Sequence, residues 1–91
     1  MDKAHLEEIA TFIREHRSNE SNFEKLYAKL EEETNNEGAG EAYRTTLAEV
    51  KEKSAAEYRK AKETGGTAWP EFEKFVTEFE RAAIEASKAG N

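Results

Sequence analysis

The chain has 91 residues, of which 36% are hydrophobic and 37% charged, with 20 acids against 14 bases and a formal net charge of −6. That length fits one domain, and the acidic balance disfavours direct nucleic-acid binding and anionic membrane surfaces, which both call for clustered cations, while it permits a basic protein partner. There is no cysteine, so no disulfide framework and no thiol chemistry, in keeping with a cytoplasmic protein.

Low hydrophobicity combined with net charge can leave a chain disordered, because little apolar surface offsets its entropy. Nine aromatic residues at regular positions argue for a folded, aromatic-rich core. The N-terminus lacks the basic and apolar regions of a secretory signal, and no apolar run approaches a membrane span.

Four amphipathic helices are predicted, and no segment alternates with period two. The first covers residues 2–17: Leu6, Ile9, Ala10 and Ile13 share a face, Phe12 lies at its edge, and Asp2 is a plausible N-cap. A short break at Ser18-Asn19-Glu20 makes the second helix a near neighbour. That helix covers 22–34. Ser21-Asn22-Phe23-Glu24 fits a capping box, and Phe23, Leu26, Tyr27 and Leu30 follow at helical spacing. Asn35 to Gly40 reads as a loop.

The third helix, 41–63, is the longest. Its stripe is Tyr43, Leu47, Val50, Ser54, Tyr58 and Ala61, and Ser54 and Ala61 are small enough to admit a close neighbour. Thr64-Gly65-Gly66 ends it, with glycine suited to the left-handed position past a helix end. The fourth helix covers 70–87. Pro70 suits its first turn, and Phe72, Phe75, Val76, Phe79, Ala83 and Ala86 form a dense stripe. Trp69 before it is expected to act as a lid on the core, while Ile84 falls on the polar side. Four such helices, each with one stripe to bury, make an all-α, compact four-helix bundle the expected fold, with the long third helix as a source of irregularity.

No metal, cofactor or catalytic constellation emerges. His5 and His16 are about 16 Å apart along one helix and lack a further ligand pair. The glycine pairs match neither phosphate-loop pattern and follow no strand. Serine has no His/Asp constellation, so an enzyme is not expected.

The densest charge feature is Glu31-Glu32-Glu33, with Glu37 and Glu41 close by. Such a run is most often a solvated helix face. Here the acids sit at a helix C-terminus, where negative charge opposes the dipole, and that cost points to a use. These five glutamates are therefore the candidate partner-binding residues of a non-enzymatic module that docks on a basic protein surface. One form of such a module is an inhibitor that occupies the nucleic-acid groove of another protein, as small phage-encoded anti-defence proteins do; the parallel is one of size, acidity and helicity only. The competing expectations are a homo-oligomeric adaptor, such as a homodimer paired through the third helix, and a carrier of an apolar ligand held between the aromatic stripes.

Overall fold

In the computed structural model, which describes residues 3–36, 38–65, 69 and 71–89, four helices form: α1 (Lys3–His16), α2 (Phe23–Thr34), α3 (Glu41–Glu63) and α4 (Phe72–Ala89). A single 3-10 turn, Glu20–Asn22, leads into α2, and no strand occurs among the described residues. The extents of 41 × 23 × 17 Å are those of a bundle elongated along its helices. The longest helix, α3, accounts for about 34 Å of that length at 1.5 Å per residue.

Contacts between helix ends fix the topology. The start of α1 meets the end of α2 through His5 and Glu33, and the start of α3 meets the same residue through Tyr43. The end of α1 meets the start of α4 through Arg17 and Glu73. Each helix thus runs antiparallel to its neighbours in an up-down-up-down bundle. The seams α1/α4, α2/α3 and α3/α4 carry most of the packing.

The stripes read from the sequence meet in one core. Leu6, Ile13, Leu26, Leu30, Leu47, Val76 and Phe79 are fully buried. At the end formed by the start of α2, the end of α3 and the start of α4, aromatic rings replace aliphatic packing. Tyr27 stacks on Tyr58 at 3.8 Å between centroids, and Trp69 meets Phe23, Tyr58 and Phe72 edge-on. Trp69 is buried, as expected of a lid. Ser54 and Ala61 are buried as well and allow α3 to approach its neighbours closely.

Several local readings change. The capping box at Ser21 does not form: α2 has Asn22 as its N-cap, with no side-chain cap bond. Ser21 lies in the 3-10 turn, which is closed by Asn22 N–H donating to the Asn19 carbonyl at 3.0 Å. Its own N–H donates to Asn19 Oδ1 at 2.9 Å, and the Asn22 side chain reaches back to the His16 carbonyl at 3.1 Å, satisfying an end group of α1. Local asparagine bonds therefore take the place of the serine cap. Ile84 is half-buried and lines a hollow in the α1/α4 seam beside Leu6 and Ala10, so it does not stand on a polar face. Ala39 and Ala82 join the core without having been singled out in the sequence. Gly65 adopts φ 72°, the left-handed conformation expected just past α3. The proposed N-cap Asp2 and the helix-starting Pro70 lie outside the described residues.

Candidate functional site

The five glutamates of the acidic run do not form one surface. Consecutive helix residues are 100° apart, so Glu31, Glu32 and Glu33 point in three directions. Glu31 turns to α3 and pairs with Lys51 at 3.6 Å. Glu32 turns outward and pairs with Lys29 on its own helix at 3.6 Å. Glu33 turns inward and is only 1% exposed. Its assignment to a partner-binding surface is therefore corrected, because a buried carboxylate offers a partner no contact. Glu41 is exposed in the first turn of α3, and Glu37 lies outside the described residues.

Glu33 instead forms the one buried polar junction joining three helices among the described residues. Its Oε1 accepts from His5 Nε2 of α1 at 2.9 Å and from the Tyr43 hydroxyl of α3 at 3.4 Å. Burial raises the Tyr43 phenol far above its ordinary range, and the charge of Glu33 and the hydrogen bond to it push in the same direction. His16, the other histidine, stacks on Phe12 at 4.1 Å and donates from Nδ1 to the Phe12 carbonyl at 2.7 Å.

A second charged junction ties the end of α1 to α4. Glu80 accepts from Arg14 Nε at 3.1 Å and from Arg17 at 2.9 Å, and Arg17 also reaches Glu73 and the Thr77 hydroxyl. The Arg17 guanidinium is held above its ordinary value first by the hydrogen bond to Glu73, which outweighs the opposing desolvation, and further by the charges of Glu73 and Glu80 and the hydrogen bond to Glu80. These pairs hold helix to helix.

The remaining charge lies elsewhere. Along the outer face of the α3/α4 seam run two adjoining hollows of about 50 and 160 Å³ that share Val50, Lys53 and Glu78. Val50, Ser54, Phe75 and Ala82 supply the floor. The walls carry Glu49, Lys53 and Glu57 from α3 and Glu71, Lys74, Glu78, Arg81 and Glu85 from α4 or the residue just before it. None of these eight charged side chains makes an ion pair with a described residue, in contrast to the other seams. A broader hollow on α1, lined by Glu7, Glu8, Glu15 and Phe12, lies almost wholly on that one helix.

The acidic run drew attention in the sequence through its density. The α3/α4 groove did not, because its acids are spread over two helices and interleaved with bases. Among the described residues no group of three or more potential metal ligands is gathered, and no helix is long and apolar enough to cross a membrane. No protein-family model matches the chain, and neither a curated protein nor a solved structure matches it.

Proposed function

We propose that this protein is a non-enzymatic, acidic interaction module that docks on a basic surface of another protein. The observation that carries the reading is where the surplus of negative charge stays. The inter-helix ion pairs engage Arg14, Arg17 and Lys51 with Glu80, Glu73 and Glu31. Carboxylates outside those pairs stay exposed over much of the surface: Glu7, Glu8 and Glu15 on α1, Glu24 on α2, Glu41, Glu49, Glu52 and Glu63 on α3, and Glu71 and Glu85 beside or on α4. Exposed charge of one sign steers a complementary partner and speeds encounter. Glu33, the one fully buried carboxylate among the described residues, is engaged inside the bundle and takes no part in docking. A nucleic-acid groove on the partner is one basic surface that suits such a module, since carboxylates can take up positions otherwise filled by phosphates; in that form the protein is an inhibitor.

The test is retention from a lysate of the source organism on immobilised protein at low ionic strength. Basic proteins should be retained and then released as salt is raised, because exposed charges are screened over about 8 Å at physiological ionic strength. Retention that persists unchanged in high salt, or none at low salt, contradicts the reading.

A further inference from the structure

We infer that the turn between α1 and α2 is a hinge through which α1 is exchanged with a second copy of this chain. The inference goes beyond the docking reading and does not depend on it.

The breaks between the helices differ in kind. Those at 35–40 and 64–71 contain Gly38 and Gly40, and Gly65, Gly66 and Pro70, residues that disfavour a helix. The break between α1 and α2 reads Arg17-Ser18-Asn19-Glu20-Ser21-Asn22, with neither glycine nor proline. Arg17 N–H still donates to the Ile13 carbonyl at 2.9 Å, as in an α-helix, and Glu20–Asn22 is already a 3-10 turn leading into α2. Only Ser18 and Asn19 belong to neither, and both are exposed. What bends the chain there is asparagine bonding. Asn19 accepts from the N–H groups of Ser21 and Asn22, and the Asn22 side chain donates to the His16 carbonyl. With these bonds open, residues 3–34 can run as one helix about 48 Å long at 1.5 Å per residue.

The packing suits such an exchange. Among the described residues α1 packs chiefly on α4 and only slightly on α2, the helix that follows it in the chain. Leu6, Ile9, Ala10 and Ile13 supply its apolar face, and Arg14 and Arg17 tie it to Glu80 and Glu73. None of these contacts requires that α1 belong to the same copy as α4. In two copies whose straightened helices lie antiparallel about a two-fold axis, each α1 fills the place that the other has left. The α1/α4 seam and the His5–Glu33 bond then re-form between copies, and only the hinge bonds are lost.

Ser18→Ala/Asn19→Ala removes the Asn19 side-chain bond and puts strong helix formers in the hinge. Sedimentation should show a dimer whose dissociation constant is at least about tenfold below the parent's. The Cα chemical shifts of residues 17–22 should be helical in that dimer. Ser18→Gly/Asn19→Gly should move the equilibrium toward monomer. A charge-reversed pair carries the test if the alanine variant fails to fold. Arg14→Glu/Arg17→Glu in one variant and Glu73→Arg/Glu80→Arg in another each set like charges against each other across the α1/α4 seam of a single copy. Unfolded, mixed and refolded together, the two should form a heterodimer in which both seams carry opposite charges, in excess over either homodimer by native mass spectrometry. A folded alanine variant that stays monomeric at millimolar concentration overturns the inference, as does a mixture that yields no heterodimer. So does a dimer whose residues 17–22 keep the carbon shifts of the monomer, because closed copies have then docked without exchange.

Discussion

At the scale of single residues, the decisive side chain is Glu33. Its neighbours Glu31 and Glu32 are solvated, and nothing in the local string distinguishes the three. Only the helical phase of Leu26 and Leu30 places it on the inner face, and that phase competes with the ordinary expectation that glutamate is exposed. Its partners are 28 positions away at His5 and 10 away at Tyr43, so the junction was not legible in the sequence. His5→Ala leaves the buried carboxylate with the long Tyr43 contact alone and should cost on the order of 1–3 kcal/mol. A double-mutant cycle with Glu33→Gln, read by denaturant unfolding, should return a clear coupling, and additive costs would show that the pair is not formed in solution. Tyr43 adds a dependence on alkaline pH. Burial and the charge of Glu33 raise its folded phenol above the ordinary tyrosine value of about 10, so the folded state keeps a proton that the unfolded chain releases. The contribution is full below about pH 10 and is lost as pH rises beyond it. Tyr43→Phe should flatten the fall in stability above that point. A parent and variant that lose stability in parallel there would place the effect elsewhere, with Tyr27 as the next phenol to examine, since burial raises it too.

At the scale of elements, periodicity was the reliable signal, and the cap read at the start of α2 was not. The stripes of α3 and α4 are long and aromatic, and they specify burial whatever the chain does at its ends. The start of α2 was misread because Ser21 and Glu24 satisfy a pattern that two asparagines satisfy better in space. Ser21→Ala should therefore change stability by no more than about 0.5 kcal/mol, the range of an ordinary surface site. Asn22→Ala removes the bond to the His16 carbonyl and should cost about 1 kcal/mol, as lost terminal bonds do. Chemical unfolding of the two variants side by side checks this, and the reverse order would restore the serine cap. Phe79 is fully buried among α4 and core rings, and Phe79→Ala should cost about 3–5 kcal/mol. A melting temperature that barely moves would mean that the α4 stripe does not face the core. The sole tryptophan, buried at the aromatic end, gives a fluorescence signal for all of these transitions.

At the scale of the whole molecule, charge sorts by seam. The α1/α4 and α2/α3 seams set opposite charges against each other, while the charges of the α3/α4 seam make no ion pair among the described residues. The sequence carried the net charge, the four helices and the core stripes. It did not carry this sorting, which depends on which helices become neighbours. The central claim is that the unpaired charge exists to meet a basic partner. The most direct measurement is the affinity for the partner retained from lysate, taken across a salt series for the parent and for Glu49→Lys/Glu78→Lys/Glu85→Lys. The account predicts that parent affinity falls steadily with salt, chiefly through the association rate. It predicts that the triple variant binds at least about tenfold more weakly at low salt while its melting temperature stays near the parent's. An affinity indifferent to salt and to the three reversals would contradict it.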